Sequence, residues 1–174
     1  EALTKIRDTT PEQRMTLDTD ALVPIFHHAR NQNDQLFKAL GIVTLDTTVH
    51  TALLAAPETQ RLKALRTRGE VLDVERRRRE GGTRDDWFVT LRDGSGLISH
   101  ALFAAPPNTT LGASLGEDDD AVRVGDHLRV DGLFFKVFRQ EVGGAWLEGP
   151  LVLGHRAIAS YPPVDEATAR AAPA

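Results

Sequence analysis

The chain has 174 residues, a formal net charge of -4, 41% hydrophobic and 26% charged residues. That is enough for one folded domain, or a small pair, with a real core, and the acidity argues against a surface built throughout to hold nucleic acid. With no cysteine, disulfides, thiolate metal sites and cysteine nucleophiles are excluded.

No apolar run approaches the roughly 18 residues that span a bilayer, and no signal peptide is present. The sequence opens at Glu1 rather than at a methionine. The expectation is therefore a domain from which a leader or membrane anchor has been removed, working outside the cytoplasm. Residues 1–16 are polar, contain Pro11 and read as a loose lead-in.

The first helix is expected after Asp20, with Leu22, Ile25, Phe26 and Ala29 on one face, running to about Asn31. A second, about Asp34 to Leu40, presents Leu36, Phe37 and Leu40 and is stopped by Gly41. Asp46 or Thr47 caps a third, with Val49, Leu53 and Leu54 as its stripe, ended by Pro57. One more turn or two carries Leu62 and Leu65 up to Arg68-Gly69. None of these helices is long enough to stand alone, so they must pack on something.

From Gly69 the apolar period changes from about 3.6 to 2. Strands are expected at Glu70–Glu75, at Asp86–Arg92 and at Leu97–Ala104. Asp93-Gly94-Ser95-Gly96 marks a hairpin between the last two. Pro106-Pro107 stops the third strand, and Asn108 to Ala121 is a polar loop. A long strand follows through Val124–Phe138, with Gly132 where it must bend. The last strand spans about Ala145 to Ile158, with an interruption at Gly149-Pro150.

The fold class read from this pattern is α+β: short N-terminal helices packed on a five-stranded, OB-like antiparallel β-barrel. Its parts are a lead-in at 1–16, a helical segment at 17–66, the barrel at 67–161 and a disordered tail at 162–174. After Gly132 the long strand is apolar on both faces. Strict alternation puts Leu133, Phe135 and Val137 on one face and Phe134 and Phe138 on the other. That makes it the seam between helices and barrel.

Thr67-Arg68-Gly69-Glu70-Val71, the block Gly125 to Lys136 (G-x-x-x-R-V-x-G-x-F-F-K) and Pro150-Leu151-Val152 together resemble an uncharacterised bacterial family. The resemblance covers about Leu17 to Pro163. It implies an OB-type barrel behind an export signal or membrane anchor, and it implies no activity, ligand or catalytic residue.

Arg76-Arg77-Arg78-Arg79, with Arg84 close by, ends the first strand and enters a loop of the kind OB-folds use to hold oligonucleotides or sugars. With Trp87, Phe88, Phe135 and Lys136 the cluster is a candidate platform for single strands or an anionic glycan. The competing reading is an ion-paired hairpin tip, because Glu70, Asp73, Glu75, Glu80, Asp85 and Asp86 surround it.

The histidines His27, His28, His50, His100, His127 and His155 show no zinc spacing. His27 and His28, about 100° apart on a helix, suit one surface and one half-buried position. Glu117 to Asp120 lacks the alternation of a calcium loop. Ser95 does not sit in a nucleophile elbow, and Gly112 and Gly116 precede no phosphate-loop lysine.

No cofactor or metal is therefore expected. The sequence points to a non-catalytic binding module whose partner is a protein or its own copy. The alternatives are the arginine-dependent polyanion binder and a small enzyme whose site assembles only in three dimensions.

Overall fold

A computed structural model describes residues 1–32, 34–78, 85–108 and 122–160. The chain opens with a 3-10 turn at Ala2–Lys5, then α1 (Pro11–Arg14), α2 (Thr19–Arg30), α3 (Asp34–Ala39), β1 (Val43–Thr44), α4 (Thr47–Ala55) and α5 (Pro57–Gln60). Five longer strands follow: β2 (Ala64–Arg78), β3 (Asp85–Arg92), β4 (Ile98–Asn108), β5 (His127–Val142) and β6 (Ala145–Ala159). The fold is α+β, with a six-stranded mixed sheet in the order β1-β2-β3-β4-β6-β5. A further pairing of β2 with β5 returns the ladder to its start.

The sheet is not purely antiparallel as expected. β4 and β6 run parallel, with His100 opposite Leu151, and β1 adds parallel to β2, with Val43 opposite Leu65. The first of these follows from counting. Five strands whose pairings close on themselves cannot alternate in direction all the way round, so one pair must be parallel.

Several boundaries also move. β2 begins at Ala64, so Leu65 belongs to a strand and not to a helix. β4 continues through Pro106 and Pro107, which fall in a register shift between Ala105 and Asn108 where the ladder is already broken. β6 passes Gly149 and Pro150 without a break. His27 and His28 are both exposed. The Glu117–Asp120 run and the tail at 162–174 lie outside the described residues.

Two rows of facing side chains build the core. Val74, Val89, Ala101, Val152 and Phe134 oppose one another in turn around the ladder. They belong to the enclosed face, where Leu53 of α4 packs against Leu65, Phe134, Val137 and Val152. The other row, Phe88, Leu102, Leu153, Leu133 and Ala64, joins one cluster with Ala21, Leu22, Ile25, Phe26 and Ala29 of α2 and Phe37 of α3. Helices and sheet thus share a core, as the spacing on α2 predicts.

β5 is the seam, with Phe134 and Phe135 both fully buried. Its faces differ from strict alternation beyond Phe135. A β-bulge between Phe134 and Lys136 inserts one residue and flips the frame. Val137 therefore joins Phe134 on the enclosed side, and Phe138 joins Leu133 and Phe135 under the helices. Gly132 sits where β5 meets Gly154 of β6. A Cβ there would stand 2.3 Å from the Leu153 carbonyl oxygen, so the close approach requires glycine.

The bulge is tied down by residues 7–18, most of which belong to the lead-in expected at 1–16. The Lys136 side chain is fully buried. Its ammonium donates to the carbonyls of Arg7 (2.6 Å), Gln13 (2.8 Å) and Thr16 (2.7 Å) and to the Asp18 carboxylate (2.6 Å). Asp8 accepts from the Val137 amide at 2.9 Å and pairs with Arg61 at 2.9 Å, while Arg61 donates to the Phe135 carbonyl at 2.9 Å. Arg14 bonds the Asp8 carbonyl and Glu148 of β6, each at 2.8 Å.

Asp18, not Asp20, is the N-cap of α2. It adopts the left-handed region (φ 36°) and turns its carboxylate to Lys136 instead of to the helix. Its carbonyl takes the first helical amides, Ala21 at 2.9 Å and Leu22 at 3.0 Å.

Replacing Lys136 by methionine leaves the buried Asp18 carboxylate with Arg7 alone and takes the shared donor from three carbonyls. Unfolding free energy in urea should drop by about 3 to 5 kcal/mol. Hydrogen exchange at residues 6–18 should accelerate along with it. Unchanged stability and unchanged protection would show that the clamp contributes nothing.

His100 is fully buried beside Phe88 and Phe138, with ring centroids at 6.0 Å and 5.3 Å, and its Nδ1 lies 3.0 Å from the Thr90 hydroxyl. Burial pushes its pKa down from 6.5 to about 4. The unfolded chain then binds a proton that the native one refuses, so stability falls as pH drops from about 6.5 to about 4 and levels off below. The histidine's share is about 3 kcal/mol. Comparing urea melts of wild type and His100→Asn across that window isolates it. Parallel curves would mean that His100 does not titrate differently in the two states.

Candidate binding surfaces

Two regions outside the core carry chemistry. The first is the arginine-rich end of β2. Cross-strand pairing sets Arg76 opposite Trp87, Arg77 opposite Asp86 and Arg78 opposite Asp85. Arg76 is bonded to Asp85, which also lies 3.7 Å from Arg78. Arg77 forms a two-pronged bond to Glu75 at 3.0 and 2.9 Å. The Arg76 guanidinium lies over the Trp87 ring at 5.4 Å and that of Arg77 over Phe88 at 4.9 Å. Each described arginine of the run is therefore paired locally, in charge-assisted and cation–π contacts. Arg79 and Arg84 lie outside the described residues.

The expected platform does not assemble from the other members. Trp87 and Phe88 are adjacent on a strand and point to opposite faces, Trp87 into the enclosed cluster and Phe88 into the core that the sheet shares with the helices. Phe135 is fully buried under the same helices, and Lys136 is spent on the N-terminal segment. A stacking surface for bases needs exposed rings, and these are core residues. The β5–β6 hairpin holds an aromatic that was not singled out from sequence. Trp146, 46% exposed, lies under the Arg139 guanidinium at 5.0 Å.

The second region is a groove of about 580 Å³, a size that holds small ligands or short chain segments. The turn before α4 supplies Thr44, Asp46 and Thr47, β2 supplies Arg68, Gly69 and Glu70, and the β3–β4 hairpin supplies Arg92, Asp93 and Ser95. His127 and Ser160 close it from β5 and the end of β6. Gly69 is required at its floor, because a Cβ there would meet the Arg92 carbonyl oxygen at 2.4 Å.

The acids of this groove are occupied. Asp46 accepts the Val49 amide at 2.8 Å and so caps α4. Asp93 takes the amides of Ser95 and Leu97 at 2.9 Å and the Ser95 hydroxyl at 2.7 Å, holding the turn. Glu70 pairs with Arg92 at 3.3 Å. The acids thus serve the scaffold, and Arg68 stands exposed with no ion pair among the described residues.

Sequence reasoning read Asp93 to Gly96 as a hairpin and Arg68-Gly69 as part of a block, without joining them. The available signal was alternation, which sends Arg66, Arg68 and Glu70 to the face opposite buried Thr67 and Val71.

If the arginine run is structural decoration of a hairpin, Arg76→Ala and Arg77→Ala should each change unfolding free energy by less than about 1 kcal/mol. Urea denaturation of the two variants measures this, and a larger loss would give the exposed pairs a stabilising role that they lack here.

No family model and no curated protein matches the chain. Among solved structures, it is similar to an aspartyl tRNA synthetase from Entamoeba histolytica, at 16% identity and a TM-score of 0.34. The match covers 60% of this chain and 20% of that one.

Proposed function

We propose that this chain is a non-catalytic, protein-binding module built on an OB-like barrel. The barrel reading is supported by the pairing sequence β2-β3-β4-β6-β5-β2 with its one parallel step, which suits a five-stranded Greek-key closure. The binding reading rests on one observation above all. The groove between β2, the β3–β4 hairpin and the start of β5 is open and lined by charged and hydroxyl residues, while its carboxylates are engaged in holding a helix end, a turn and an arginine. A site for acid–base chemistry turns a carboxylate toward its substrate, and each of these is turned to a protein partner.

The polyanion reading has less behind it. In OB-folds the second and third strands and the loops flanking them hold oligonucleotides. Here the corresponding outer face of β3 and β4 carries Phe88 and Leu102, and both are buried in the core shared with the helices. Arg76, Arg77 and Arg78 are ion-paired at its margin.

Selection of the purified protein against a displayed random-peptide library, alongside titration with single-stranded DNA, RNA and heparin at low salt, separates the two. The module reading expects enriched peptides and no salt-sensitive polyanion binding. Absence of any enriched peptide, with oligonucleotide binding that Arg76→Glu/Arg77→Glu abolishes, would replace it with the polyanion reading.

A further inference from the structure

The groove floor is a gap in the sheet. On β2 the main chain of alternate residues points to opposite neighbours. The Lys63 carbonyl accepts from Phe134, and Val71 exchanges bonds with Asp126 and Gly125, all at 2.8 Å. Odd-numbered positions therefore face the β5 side. Even-numbered ones face the other way, and Arg66 accordingly accepts from the Leu45 amide at 2.9 Å.

On that second side β1 pairs only as far as Thr44 opposite Arg66, and β3 pairs only from Glu70 onward, where its last residue, Arg92, lies opposite. Arg68 lies between them. Among the described residues no strand lies alongside its N–H and C=O, which point into the groove, and its guanidinium forms no ion pair, the acids around it being otherwise engaged.

We propose that this gap receives a short extended peptide segment that pairs with the Arg68 main chain and delivers a carboxylate to the Arg68 guanidinium. The proposal rests on the protein-binding reading above and adds its site and ligand class. Strand addition to an unpaired edge is a common way to take an extended peptide, and here only one residue of edge is open. Main-chain bonds can therefore number no more than two. Recognition then depends on the carboxylate, for which a guanidinium offers a matching fork. The hydroxyls of Thr44, Thr47 and Ser95 line the same groove and can bond further peptide groups. The carboxylate belongs either to an Asp or Glu side chain or to a chain terminus.

The test takes the peptides enriched from the random library and titrates them into the isotope-labelled protein, reading amide shifts and affinity together. Shifts should centre on Leu45, Arg68, Gly69, Ser95 and His127. Arg68→Gln, which keeps the main chain, should weaken binding by about tenfold or more. Amidating the peptide C-terminus, or exchanging its Asp or Glu for the amide, should give the same loss. Whichever of the two does so identifies the source.

Enriched peptides whose shifts lie elsewhere, or that tolerate both carboxylate replacements, would overturn the inference and leave the module reading standing. No enrichment at all would overturn both. The same shifts on concentrating the protein alone would make a second copy the occupant, and would overturn it too.

Discussion

The architecture depends on one buried cation. Lys136 stands at a bulge in β5, with its ammonium out of water and ringed by three carbonyls and a carboxylate. Burial lowers its pKa, and the Asp18 carboxylate opposes that shift. An ion so placed is costly unless every donor is met, and here the donors are met by residues 7–18. The N-terminal segment is therefore a structural part of the sheet. It satisfies the bulge and, through Asp18, sets where α2 starts.

That placement has consequences for the surface. With α2 begun at Thr19, the apolar face of Leu22, Ile25, Phe26 and Ala29 packs chiefly on β6, in one core with Phe88, Leu102 and Leu153. The outer positions of β3 and β4 at Phe88 and Leu102 are closed by the chain itself. What remains open is on another side, where β1 stops short and the β3–β4 hairpin begins. The two findings are coupled, because covering one face moves the search for a ligand to the gap beside Arg68.

Much of this was legible from local pattern. The Asp93 to Gly96 turn, the stripe on α2 and the Asp46 cap each depend on neighbours in sequence, and each is found in place. What was not legible depends on distance. Lys136 reads as a free cation at the end of an aromatic block. Only the fold brings Asp18 to it, 118 residues away. The bulge at Phe135 leaves no mark in composition, yet it swaps the faces of Val137 and Phe138. Phe88 and Phe135 looked like exposed stacking residues because the helices above them had no assigned position. Arg68 was in view, but its meaning comes from having no strand neighbour on one side among the described residues, which no local pattern encodes.

The buried clamp can be observed directly through the Cε resonance of Lys136 in a carbon-labelled sample titrated to alkaline pH. A lysine buried among these partners should titrate below the ordinary lysine range, and its ammonium protons should exchange slowly enough to be seen. A midpoint at the ordinary value near 10.5, with rapidly exchanging protons, would place the side chain in water and contradict the clamp on which the rest of this structure depends.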